Sequence, residues 1–139
     1  FSICEDRTKE LILLKFSGDV DNDEIMRVMT KLYQLESHPI SDQMIDFSAV
    51  RHFLVTPDGV TTYTETAMER RDFVAADSKR KIVVYAPTDL VFGMSRLISA
   101  VAARSGVDMM VFRELDQVLD YLDLEQNYAD SLEIVDSSD

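Results

Sequence analysis

A chain of 139 residues, 46% of them apolar, with only four glycines and three prolines, has the size and composition of one globular domain; this excludes a disordered chain and a turn-rich all-β sandwich. The net charge of −12 comes mainly from the C-terminal part, which from Glu114 onward holds nine acids and no Lys or Arg. An excess of this sign repels phosphate, so no nucleic-acid partner is expected.

Phe1–Glu5 and Glu10–Ser17 are strand-like runs around Asp6–Lys9 and predict a hairpin. Leu11–Leu14 is apolar on both faces, as in a strand covered on both sides. Asp21–Glu36 reads as a helix with Ile25, Val28, Met29, Leu32 and Leu35 in one stripe. Asp21 is its expected cap, Glu24 stands in capping-box position, and His38-Pro39 ends it. Gln43–Ser48 predicts a short strand followed by a loop to Val55. Thr56-Pro57 opens a second helix, with Val60, Tyr63, Ala67 and Val74 facing inward.

Lys81–Ala86 predicts a buried strand around Ile82–Tyr85. Thr88 caps a third helix whose inward stripe is Val91, Met94, Leu97, Ile98 and Val101, and Gly106 ends it. Met109–Phe112 is the last predicted strand, and Leu115, Val118, Leu119 and Leu122 form the last helical face. Residues 125–139 lack sustained periodicity and read as a mobile or partly ordered acidic tail. The expected fold is therefore α/β. It has a mixed, mostly parallel sheet of about five strands, an N-terminal hairpin and about four helices, with residues 1–124 as the domain.

Four stretches, in this order, carry a resemblance: Leu13–Asp19 (LLKFSGD), Met44–Val50 (MIDFSAV), Lys81–Ser95 (KIVVYAPTDLVFGMS) and Val111–Leu122 (VFRELDQVLDYL). Together they resemble the SpoIIAA-like superfamily, which groups STAS domains with CRAL-TRIO lipid-binding domains. Within it the chain looks most like small bacterial stand-alone STAS-like proteins. The resemblance implies a non-enzymatic regulatory module that acts by protein–protein contact, on a protein partner or on a second copy of the chain as a homodimer, for which seven Met side chains would supply an adaptable surface. Its CRAL-TRIO side implies the alternative, a carrier or sensor of a lipid or small apolar ligand near a membrane. STAS domains that antagonise anti-sigma factors are phosphorylated on a serine after a strand end that Asp46–Val50 resembles. Here Val55-Thr56-Pro57-Asp58-Gly59 replaces that turn, so Thr56 is the one available acceptor. Pro57 leaves one N–H fewer to hold a phosphate, which argues against the switch.

The remaining polar residues fit no catalytic set. Asp19–Glu24 begins like a calcium loop, but Glu24 and Thr30 stand where Gly and Glu are required. His38 and His52 lack metal-ligand spacing, and Cys4 is a lone thiol, so neither a metal nor a cofactor is expected. An acid–base reading would draw on Asp46, His52 and Asp89, too thin a set to name a reaction. Parallel α/β sheets bind at the carboxyl ends of their strands. The candidate ligand- or partner-binding residues are accordingly Ser48, Arg51, His52, Phe53, Leu54, Thr56, Thr88 and Asp89, with Phe53 and Leu54 expected to be exposed. Arg70, Arg71, Lys79, Arg80 and Lys81 form a basic patch suited to acidic lipid headgroups or to the acidic tail. No apolar run reaches the ~18–20 residues of a membrane span, and no signal-like segment is present, so the expected location is cytoplasmic, with a peripheral membrane contact through that patch.

Overall fold

The computed structural model describes residues 1–36, 41–69, 81–104, 108–125, 128 and 134–137. The elements run β1 (Ser2–Asp6), β2 (Leu11–Val20), α1 (Asn22–Tyr33), β3 (Asp42–Phe53), α2 (Pro57–Glu69), β4 (Ile82–Tyr85), α3 (Asp89–Arg104), β5 (Met109–Phe112), α4 (Leu115–Leu122) and β6 (Ile134–Ser137). The protein is an α/β domain whose sheet has the order β5-β4-β3-β2-β1-β6. The strands β2 to β5 are parallel, and β1 joins β2 as an antiparallel hairpin.

Each parallel strand lies beside its predecessor, so every crossover steps in the same direction. Right-handed crossovers then place α1, α2 and α3 on one face. The core agrees: Ile12, Leu14 and Phe16 of β2, Phe47 of β3 and Val84 of β4 pack with Ile25 and Val28 of α1, Val60 and Tyr63 of α2, and Val91 of α3. The alternate residues Leu11, Leu13, Met44 and Val83 face the other way and are covered by Val118 of α4 and by Tyr128. This explains why β2 is apolar on both faces. The eight-residue α4 is short beside β2 and β3, which run to ten and twelve residues.

The local signals act as expected at several joints. The Asp21 carboxylate caps α1 by accepting the Glu24 N–H at 2.9 Å. α4 ends at Asp123, whose φ of 57° lies in the left-handed region, and the Leu124 N–H reaches back to the Leu119 carbonyl at 2.8 Å. On the sheet beneath α4, Lys81 donates to the Tyr121 carbonyl at 3.1 Å and lies over the Tyr121 ring.

Three expectations need correction. The stretch from Ser48 to Phe53 is not a loop. β3 continues through it because Ser17–Val20 of β2 extends equally far and pairs with Ala49–Phe53. Phe53 is therefore not exposed: it is 7% accessible, stacked edge-on against Phe47 with ring centroids 5.3 Å apart. Leu97 does not face the sheet and is 41% exposed, because the inward stripe of α3 runs through Val91, Ser95 and Ala102. In addition, Ile134–Ser137 of the tail adds a sixth strand, antiparallel to β1. His38, Pro39, Val74 and Gly106, and the side chain of Ala67, lie outside the described residues.

Candidate functional site

The carboxyl edge of the parallel sheet is built by an overhang. β4 pairs with β3 only over Gln43–Asp46, whereas β2 and β3 stay paired to Val20 and Phe53. The ribbon is irregular: its register shifts between Lys15 and Ser17 and again between Gly18 and Asp19. Gly18 has a φ of 69°, a conformation that costs glycine little and a β-carbon more. The bulge brings the Asp19 carboxylate to His52 Nδ1 at 2.7 Å and to Arg51 Nε at 3.8 Å. These side chains are more than half exposed, so their attraction is screened by water.

The chain leaving the overhang is fastened to the start of α1. The Asn22 amide donates to Thr56 Oγ1 at 2.9 Å and accepts the Thr56 N–H at 3.1 Å. Thr56 Oγ1 also accepts the Gly59 N–H at 3.1 Å, which makes Thr56 the cap of α2. Between these fixed points Leu54 is held outward, 56% exposed, with its N–H on the Val20 carbonyl at 2.7 Å.

A second brace holds the start of α3. Arg113, the first residue after β5, donates to the Asp89 carboxylate at 2.5 Å and to the Pro87 carbonyl at 3.2 Å, and it lies over the Phe92 ring. The Thr88 carbonyl accepts the Phe92 N–H at 2.9 Å, starting the helix. Leu90, one residue into α3 beyond Asp89, is 61% exposed. Below this edge the Asp46 carboxylate accepts the Ser48 N–H at 2.8 Å. Burial, aided by Asp46 and Glu114, pushes the Tyr85 hydroxyl above its ordinary pKa.

The sequence candidates thus fall into separate roles. Arg51 and His52 share Asp19, Thr56 pairs with Asn22, and Thr88 and Asp89 belong to the α3 brace, with Leu54 exposed between the first two groups. The three residues of the acid–base reading each hold a different structural bond: Asp46 to Ser48, His52 to Asp19, Asp89 to Arg113. Arg113 and Leu90 are absent from the sequence candidates, and Asp19 and Asn22 enter the sequence reading within the calcium-like run and not as site candidates. Arg113 was readable in principle, since the residue that follows a parallel strand must lie at the carboxyl edge. The Asn22–Thr56 pair joins residues 34 apart and left no local signal.

Of the basic patch only Lys81 is described, and its ammonium is engaged on α4; residues 70–80 lie outside the described residues. Among the described residues no cluster of three metal-ligating side chains occurs, and no helix is long and apolar enough to cross a membrane. A hollow of about 180 Å³ lies at the opposite end of the sheet, between Lys9, Leu11, Asp42 and Leu122–Leu124. Compared with known proteins, the chain matches no family model, no curated protein and no solved structure.

Proposed function

We propose that this domain is a non-enzymatic binding and regulatory module of STAS-like type, acting through protein–protein contact at the carboxyl edge of its sheet. One observation carries the reading: the polar side chains of the edge brace the backbone, while Leu54 and Leu90 stand out at 56% and 61% exposure. Exposed apolar side chains held in place beside charged ones suit a recognition surface. The Asp19–Arg51–His52 group supplies that rim beside Leu54, and the Asp89–Arg113 pair supplies it beside Leu90.

A phosphate switch at Thr56 fits this edge poorly, because its hydroxyl oxygen already accepts from both Asn22 and Gly59. The carrier reading asks for a pocket of ~300 Å³ or more; the hollow beside Leu122–Leu124 is smaller and is partly lined by charge.

The test compares proteins captured from the host by the wild-type chain and by a Leu54→Ser, Leu90→Ser variant. The expected result is a stoichiometric partner held by the wild type and lost by the variant, with both chains equally stable. Equal capture by both would remove the carboxyl edge from the account.

A further inference from the structure

The outward side of α3 is not what a surface helix presents to water. Its sixteen residues, Asp89–Arg104, include three charged side chains, Asp89, Arg96 and Arg104. Val91, Ser95 and Ala102 are buried against the domain. On a different side of the helix, Leu90, Gly93, Leu97, Ala100 and Arg104 are all exposed. They are spaced three, four, three and four residues apart, which is the seam of a helix that packs against another helix. Met94 and Val101, half-buried against the core, border this seam on one flank. A β-carbon added at Gly93 would meet nothing within 4 Å, so the hollow there is open.

The seam alternates large and small: Leu90, Gly93, Leu97, Ala100. Turned end for end about Ser95, it becomes its own complement. Leu90 then stands opposite Ala100 of a second copy, and Gly93 opposite Leu97, so each leucine meets a hollow. The same reversal brings Arg104 of one copy within a turn of Asp89 of the other, at both ends. The Asp89 side chain is 92% exposed even while paired with Arg113, so it remains accessible to a second cation. Arg96 falls near the axis, where two copies would repel, but its guanidinium lies over the Phe92 ring at 5.9 Å, to the side of the seam.

The geometry points to a two-fold homodimer in which α3 packs antiparallel against α3 of a second copy. Such a dimer would make a second copy of the chain one of the protein partners of the proposed binding module. It shares Leu90 and Asp89 with the carboxyl edge, but Gly93, Leu97 and Ala100 belong to the seam alone, so substitutions at Gly93 and Leu97 test the dimer apart from that reading. A sixteen-residue helix is about 24 Å long. A single helix seam of that length is expected to bury less than the ~800 Å² per partner of a standard interface, so the dimer should be weak, with a Kd in the micromolar range.

Sedimentation equilibrium across the micromolar range tests it, on the wild type and on Leu97→Glu and Gly93→Glu variants. A monomer–dimer equilibrium is expected for the wild type. Each variant should weaken it by roughly 100-fold or more, because the two-fold axis places the substitution in the interface twice. Urea unfolding should leave Leu97→Glu close to the wild type and Gly93→Glu at least as stable, since Leu97 is 41% exposed, a β-carbon at Gly93 meets nothing within 4 Å and glycine is the poorer helix former. A wild type that stays monomeric, or a dimer indifferent to both substitutions, would overturn the proposal. So would a monomer that Leu97→Glu unfolds, which would mean that the chain itself covers the seam.

Discussion

Phe53 and Leu54 are neighbours in sequence and opposites in physics. Phe53 is 7% exposed and packs on Phe47; Leu54 is 56% exposed. Phe53→Ala should therefore cost about 3–5 kcal/mol of unfolding free energy, while Leu54→Ser should stay within about 0.5 kcal/mol. Urea titrations of the two variants check this directly. Tyr128 donates to Asp6 at 2.5 Å, and its ring is buried under the Lys9 ammonium. The hydrogen bond from Tyr128 holds the Asp6 carboxyl below its ordinary pKa, and burial with that same bond raises the tyrosine's. A lowered acid contributes stability that is lost as pH falls below about 4, and a raised phenol contributes stability that is lost as pH climbs above about 10. Tyr128→Phe should flatten the pH dependence of the melting temperature at both extremes; an unchanged profile would mean that the bond carries no weight.

At the scale of elements, the joints decide what the strands and helices present. A methyl at Gly59 would fall on the Asn22 amide, the group that fastens Thr56. Alanine is the better helix former by about 1 kcal/mol, yet Gly59→Ala should destabilise, because Asn22 must move and give up its two bonds to Thr56. Thermal unfolding should show a loss in both Gly59→Ala and Asn22→Ala, the smaller one in Gly59→Ala, where helix propensity offsets part of it. β6 offers a covalent test: Cys4 and residue 134 are partners across the β1–β6 pair. Ile134→Cys should yield an intrachain disulfide on mild oxidation, and failure to form it would place the tail elsewhere. Much at this scale was legible. Short apolar runs and capping residues reveal β1, β2, α1 and the buried β4, since those signals are local. The reach of β3 past Ser48 was not legible, because Arg51 and His52 are polar and only pairing with β2 makes that stretch a strand. The edge strand β6 was hidden for the same reason: four acidic-flanked residues have no periodicity until β1 supplies one.

For the whole molecule, single-direction winding puts three helices on one face and leaves the carboxyl edge as the place where β2 and β3 project. That edge was legible as a location, since parallel strands followed by helices must end there, but its wiring through Asp19, Asn22 and Arg113 was not. A net charge of −12 repels phosphate and attracts basic surfaces, so the proposed association with a protein partner is expected to weaken as salt rises. The proposed function requires that this domain hold another protein and not a small molecule. Native mass spectrometry, paired with a denaturing run on the same sample, distinguishes the two. The expected result is the bare chain mass or a whole-number multiple of it; a stoichiometric extra mass that disappears on denaturation would contradict that proposal and make the domain a carrier instead.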